Sequence, residues 1–260
     1  MILSAENVHV VRPGGAEVLR GAGCRIEPGK ITGIIGPNGA GKSTLIKVLA
    51  RLLPVASGAV TLDGVPLADW TNAALSRAIA YLPQERAVHW AVPVERIVAL
   101  GRLPHRNTPA GHRSEADLAA VRHALRVMDL ESLANRAADR ISGGELARVL
   151  IARALAQEAP IVLADEPTAG LDPAHALSLF ASFRNLAAEG RGIAVALHDL
   201  SLAARFCHQV VVLDEGRVKA SGQAAAVMTA SVLEPVFQVR FALGEVDGVP
   251  VVQPSAPSGG

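Results

Sequence analysis

The chain has 260 residues with a formal net charge of +1, and half of it is apolar. That length allows one large domain or two small ones, and the balanced charge gives no sign of a basic face for nucleic acid. Two cysteines far apart in sequence, Cys24 and Cys207, exclude a disulfide framework and suit a reducing compartment. No basic-then-apolar leader opens the chain and no run of about 18 apolar residues occurs, so a soluble cytoplasmic protein is expected, its apolar fraction reflecting strands buried on both faces or including a docking surface.

Residues 6–32 read as short strands with turns at Pro13-Gly14-Gly15 and Pro28-Gly29. Gly33-Ile34-Ile35 closes a buried strand, and Leu45-Ile46-Lys47-Val48-Leu49 carries the apolar stripe of a helix. Between them, Gly36-Pro37-Asn38-Gly39-Ala40-Gly41-Lys42-Ser43-Thr44 has the spacing G-x-x-x-x-G-K-[ST] of a phosphate-binding loop, in the strand–loop–helix setting that motif requires. The glycines let the backbone bring N–H groups close to phosphate oxygens, and the helix that starts near Ser43 adds the positive end of its dipole. Lys42 is placed to reach the β- and γ-phosphates, and the Ser43 hydroxyl to hold Mg²⁺. Asp63-Gly64 between apolar runs reads as a hairpin turn, and Ile79 to Leu82 as a strand ending at Pro83-Gln84.

From about 86 to 140 the patterning becomes helical. Leu118, Val121, Leu125 and Met128 fall on one helix face. His105, His112 and His123 lie here at spacings that match no metal site, and read as solvated or packing histidines. Ile141-Ser142-Gly143-Gly144-Glu145 opens a helix to about Gln157; its glycines could form an anion site or be an ordinary loop. Ile161 to Glu166 is an apolar strand ending in two acids. Beside a phosphate loop, Asp165 suits the second Mg²⁺-holding position and Glu166 a general base for water; alone, they could be solvated acids. Pro173 to Ala188 reads as a helix with proline in its first turn. Ile193 to Leu197 reads as a strand followed at once by His198, and Val210 to Leu213 as a last strand. Strands that end in polar residues share one crevice in an open α/β sheet. Residues 220–250 form a small mixed tail, and Pro254 to Gly260 are expected to be disordered.

With these pieces in this order, residues 3–220 resemble the ATP-binding-cassette ATPases. Gly36 to Ser43 match the Walker A loop, Gln84 the Q-loop glutamine, and Ser142-Gly143-Gly144-Glu145 the signature, with Arg148 at the arginine that often follows. Asp165 and Glu166 match Walker B with its catalytic glutamate, Ala169-Gly170-Leu171-Asp172 the D-loop, and His198 the switch histidine. The resemblance implies a single domain over 1–260: a P-loop (RecA-like) α/β core from 1–85 and 156–220 with an antiparallel β region, an inserted helical subdomain over 86–155, and a short tail over 221–260. It implies ATP and Mg²⁺ as cofactors, Mg²⁺ being held by Ser43, Gln84 and Asp165. The nucleotide would lie between two head-to-tail copies of the chain. Gly36, Asn38, Gly39, Ala40, Gly41, Lys42, Ser43 and Thr44 of one copy would face Ser142, Gly143, Gly144 and Asp172 of the other. Glu166 would polarise the attacking water, and His198 would hold the γ-phosphate.

A narrower resemblance, to the ATPases of iron-siderophore, haem and vitamin B12 importers, rests on two stretches. One is Leu82-Pro83-Gln84 followed by Ala99 to His105. The other is Ala196 to Leu200 followed by Ala203 to Cys207. It implies two membrane permease subunits, a periplasmic substrate-binding protein acting indirectly, and a place on the cytoplasmic face of the inner membrane. The alternatives are the ATPase of a metal-ion importer or exporter, or a soluble non-transport cassette. No sustained heptads occur between Gln84 and Ser142 to favour the last. Where many relatives stack an aromatic ring on adenine, this chain has Val10-Val11-Arg12-Pro13, so Arg12 could stack through its guanidinium plane. Ile141 stands where leucine is usual, and Leu146 and Ala147 replace a polar pair. Val88, Trp90, Val92, Pro93 and Val94 after Gln84 form an apolar patch, read as the surface that receives the permease, with burial in the core as the competing reading.

Overall fold

The computed structural model describes residues 1–84, 91–105 and 114–257. Strands β1 (Leu3–Val11) and β2 (Glu17–Ile26) form an antiparallel pair around the Pro13-Gly14-Gly15 turn. Then come β3 (Ile31–Ile35), helix α1 (Lys42–Leu49), β4 (Ser57–Leu62) and β5 (Val65–Pro66). Asp63 and Gly64 between β4 and β5 both have positive φ, 50° and 79°, the two-residue turn whose twist matches a hairpin. Helix α2 (Asn72–Ala78) runs straight into β6 (Ile79–Leu82). Next are α3 (Val94–Ala99), a 3₁₀ stretch over Leu100–His105, α4 (Glu115–Val127) and α5 (Gly143–Ala156). The chain goes on through β7 (Ile161–Asp165), α6 (Pro173–Ala188), β8 (Gly192–Ala196), α7 (Leu200–Phe206), β9 (Gln209–Asp214) and β10 (Arg217–Gln223). Two short helices, α8 (Ala224–Val227) and α9 (Ala230–Phe237), precede a hairpin of β11 (Val239–Val246) and β12 (Val249–Pro257).

The central sheet has the order β10-β9-β3-β8-β7-β6, all parallel except β10. A second, antiparallel sheet has the order β2-β1-β4-β5. Strands β3, β7 and β8 are buried at every residue, which explains their unbroken apolar runs. Successive side chains of a strand point to opposite faces, and two cores follow. Ile161 and Leu163 pack with Leu45, Ile46 and the antiparallel sheet. Val162 and Ala164 pack with Phe180, Phe183 and the residues of α3, α4 and α5. The resulting α/β sandwich holds α1 between two sheets and the other main helices on the far face.

Three expectations need correction. Leu118 does not complete the buried stripe of α4; it is half-buried, and Asp117 goes inward instead, because Arg102 meets it there (Nε to Oδ1, 2.8 Å). Pro254 to Pro257 are not disordered: they finish β12, with Pro254 opposite Phe241 and Pro257 opposite Val239, on an edge strand where proline costs no ladder bond. Residues 258–260 lie outside the described residues. Val94 is fully buried and Val92 packs against the core, so this part of the apolar patch is interior. Val88 and Trp90 lie outside the described residues, as does His112. The exposed apolar side chains nearby are Leu100 and Leu103. His105 bonds the Gln157 carbonyl through Nε2 at 2.8 Å. Cys24 and Cys207 are buried free thiols, each pushed up to about 12 by burial.

Candidate functional site

The loop after β3 turns through Gly36, where a Cβ would stand 2.0 Å from the Leu213 carbonyl oxygen, so only glycine fits. Gly41, left-handed at φ 104°, opens α1. Asn38 and Gly39 form the exposed rim, while Ala40 and Thr44 are buried beneath it. Lys42 curls into the loop and donates to the carbonyls of Gly36 (2.8 Å) and Pro37 (3.1 Å). Burial lowers the Lys42 pKa, and the charges of Glu166 and Asp165 oppose that shift.

Strand β7 lies two places from β3, and its end brings acids to this loop. Asp165 is fully buried, and its Oδ1 accepts a hydrogen bond from the Ser43 hydroxyl at 2.8 Å. Its Oδ2 is buried with no hydrogen-bond partner among the described residues. Burial raises the Asp165 pKa, the Ser43 bond opposes this, and the neighbouring charge of Glu166 adds to the rise. A buried carboxylate oxygen aimed beside a hydroxyl is a costly arrangement alone and fits a hard cation that takes oxygen ligands. These residues therefore fit Mg²⁺.

Glu166 leaves the strand in a left-handed conformation, φ 49°, at a cost of about 1 kcal/mol. Its amide still donates to Ala196 of β8 at 3.2 Å, so the backbone stays tied while the side chain turns over the strand ends. Side chains from two neighbouring strand ends bond its carboxylate. Gln84, just past β6, donates from Nε2 to Oε2 at 2.6 Å. His198, just past β8, bonds Oε1 through Nε2. Thus β3, β8, β7 and β6, adjacent in the sheet, deliver Lys42, Ser43, His198, Asp165, Glu166 and Gln84 to one crevice.

The remaining expected site residues lie elsewhere on the chain. Ser142 caps α5, its Oγ accepting from the Glu145 amide (3.2 Å) while Glu145 accepts from the Ser142 amide (2.7 Å). That second bond, chiefly, lowers the Glu145 pKa. The S-x-x-E spacing carries this capping box in the sequence, where the resemblance gives a nucleotide-facing role to Ser142, Gly143 and Gly144 and none to Glu145. Since the Ser142 oxygen is the acceptor, its proton stays available for an anion. Gly143 has open space where a Cβ would sit, and the Cβ position of Gly144 is 3.6 Å from the Gly170 carbonyl. Asp172 caps α6 through His175. Arg148 is a buried staple, donating from Nη1 to the carbonyls of Met128 and Asp129 at 3.0 Å. Arg12 is exposed in the β1–β2 turn.

A strand–loop–helix cradle beside a Ser–Asp pair and a held carboxylate defines a nucleoside-triphosphate hydrolase. The model of the ABC transporter family matches residues 19–169. The hemin import ATP-binding protein HmuV of Nocardia farcinica is 41% identical over 240 residues, 91% of this chain and 82% of that protein. The cobalamin import ATP-binding protein BtuD of Halobacterium salinarum is 40% identical over 231 residues, 88% of this chain and 57% of that protein. Among solved structures, the ATP-binding cassette MJ0796, a dimer in a post-hydrolysis state bound to ADP and Pi, is 27% identical with a TM-score of 0.75, covering 85% of this chain and 98% of that one. The chain belongs to the ABC transporter family, as one of its ATP-hydrolysing cassettes. No helix among the described residues is long and apolar enough to cross a membrane.

Proposed function

We propose that this chain is the ATPase subunit of an importer that takes up a metal chelate of the haem, cobalamin or iron-siderophore type. The support is the similarity, at about 40% identity over nearly the whole chain, to import subunits for hemin and cobalamin. The observation that carries the chemistry is the convergence of Ser43, Asp165, Glu166, Gln84 and His198 at adjacent strand ends. In this reading residues 1–85 and 156–220 act as the nucleotide-binding core, 86–155 as the helical unit, and 221–260 as the tail. Two copies pair head to tail, each pair serves two permease subunits at the cytoplasmic membrane face, and a periplasmic binding protein supplies the chelate from the other side.

Lys42 gives up its loop carbonyls for the β- and γ-phosphates, exchanging two charge-assisted bonds for stronger ones to phosphate. Ser43, Asp165 and Gln84 hold Mg²⁺, which when bound offsets phosphate charge. Glu166 accepts the proton of the attacking water. Each of its oxygens carries a side-chain bond here, and the second lone pair of either can accept from that water. His198 then turns to the γ-phosphate. Ser142, Gly143 and Gly144 of the other copy close over the same phosphate with a hydroxyl, two amides and a helix N-terminus, and its Asp172 lines the joint. Arg12 stacks on the adenine.

The test is reconstitution. Membranes holding the tagged chain yield its permease by co-purification, and liposomes containing the complex are loaded with ATP and supplied from outside with the binding protein. Accumulation of haem, cobalamin or a ferric siderophore is expected with one of the three. Vigorous hydrolysis without accumulation of any of them would refute the chelate assignment while leaving the ATPase intact.

A further inference from the structure

The C-terminal hairpin is remote in sequence from the crevice, yet it grips α7, the helix that starts two residues after His198. The hydroxyl of Ser201, in the first turn of α7, accepts from the Val252 amide and donates to the Val252 carbonyl, both at 3.1 Å. Val252 stands opposite Leu243 of β11. With N–H and C=O both directed to Ser201, it occupies a non-hydrogen-bonded position of the ladder, its polar groups turned away from β11. Its side chain is buried in the same apolar cluster as Leu200, Ala203 and Phe206 of α7. The root of the hairpin is itself anchored: Glu234 accepts from the Phe241 amide at 3.0 Å, and the rings of Phe237 and Phe241 meet edge to face at 5.9 Å.

We propose that Ser201 is a positioning residue for His198: clamped to Val252, it fixes the first turn of α7 and with it the imidazole that holds Glu166. A hydroxyl capping a strand edge could be closure alone. Two facts take it further. The His198 side chain is 46% exposed, so its direction rests on its bond to Glu166 and on the backbone that carries it rather than on close packing. That backbone is pinned on either side, by the Leu197 amide to Ile34 (3.0 Å) before it, and after it by the Asp199 cap on Leu202 (2.9 Å) and the Ser201 clamp. Helix α7 has seven residues, too few to hold a turn without tertiary support. The inference rests on the reading of Glu166 and His198 given above.

The experiment records histidine ring resonances of the nucleotide-free, full-length protein together with steady-state ATP hydrolysis. His198 is assigned by the signal lost in His198→Ala. Ser201→Ala is expected to shift the His198 resonance and to lower kcat about tenfold, with KM for ATP held within about twofold. Ser201→Thr, which keeps the hydroxyl, should restore both. Val252→Pro removes the N–H directed at Ser201 together with the buried valine side chain, on an edge strand that accepts proline, and should shift the same resonance from the hairpin side. A His198 resonance that stays in place in Ser201→Ala, with kcat as in the wild type, overturns the proposal even where Tm falls. Wild-type turnover by His198→Ala defeats the underlying reading of the site instead, and the ring resonance still decides whether Ser201 sets the ring.

Discussion

Replacing Asp117 by asparagine tests the buried ion pair that joins the helical elements. Arg102 and Asp117 are each only 5% exposed and meet at 2.8 Å. Arg102 also donates from Nη1 to the Ala156 carbonyl (2.8 Å) at the end of α5 and to Glu158 (2.7 Å). The Arg102 bond, above all, lowers the Asp117 pKa from 3.8 to about 2. A carboxyl whose pKa is depressed on folding contributes stability above its unfolded value, and that contribution disappears as pH falls through the folded value. A depression of this size corresponds to about 2 kcal/mol at neutral pH. The carboxamide in Asp117→Asn would keep the shape and one acceptor, and Glu158 with Ala156 would still partner Arg102. The loss should therefore stay near about 2 kcal/mol, below the roughly 3–5 kcal/mol that a buried charge left unpaired costs. Urea unfolding of wild type and Asp117→Asn at neutral pH, and at steps down towards about pH 3, measures it. The gap should be widest near neutral pH and begin to close below about pH 4. A gap that is absent at neutral pH, or unchanged at the lowest pH where both proteins fold, would refute the reasoning.

Two further outcomes concern turnover. Glu166→Gln should keep nucleotide binding and lose hydrolysis by about two orders of magnitude or more, because the acceptor for the water's proton is gone; near-normal phosphate release would remove Glu166 from that role. Lys42→Ala should weaken ATP binding about tenfold or more by calorimetry, as charged hydrogen bonds worth about 1.5–3 kcal/mol disappear; an unchanged Kd would contradict the seat of the phosphates.

The parts of this fold most legible in the sequence are those with a local cause. The loop from Gly36 to Thr44 announces itself at Gly36, because a backbone that must pass the Leu213 carbonyl admits no side chain there. The strands at Ile161 and Ile193 announce themselves because burial on both faces leaves no polar position to interrupt the run. Gln84, Glu166 and His198 can be recognised one by one, but their mutual bonds depend on strand order, and a crossover connection writes nothing local about which strand lies beside which. Asp117 is misplaced by its pattern for a similar reason. Periodicity assigns an acid to the solvent face, and the Arg102 that draws it inward is 15 residues away. The hairpin of β11 and β12 is obscured by Pro250, Pro254 and Pro257, which read as breakers until an unpaired strand edge gives them a place. Ser201 has no signal, since its partner Val252 lies 51 residues further on.

The crevice draws its groups from positions just beyond strand ends, and this makes strand length a dimension of the site. Asp165 closes β7 opposite Ala196 of β8, and Ile34 of β3 stands beside that same Ala196. One residue added within β7 would advance everything after it by about 3.3 Å and turn each side chain to the opposite face. Asp165 would then leave Ser43, and Glu166 would leave both Gln84 and His198, with no change in the chemical character of any residue. Exchanges among valine, isoleucine and alanine inside the strand alter packing by a methyl group or two and leave that measure untouched. The strands act as rulers: what they are made of is negotiable within the core, and how many residues they contain is not.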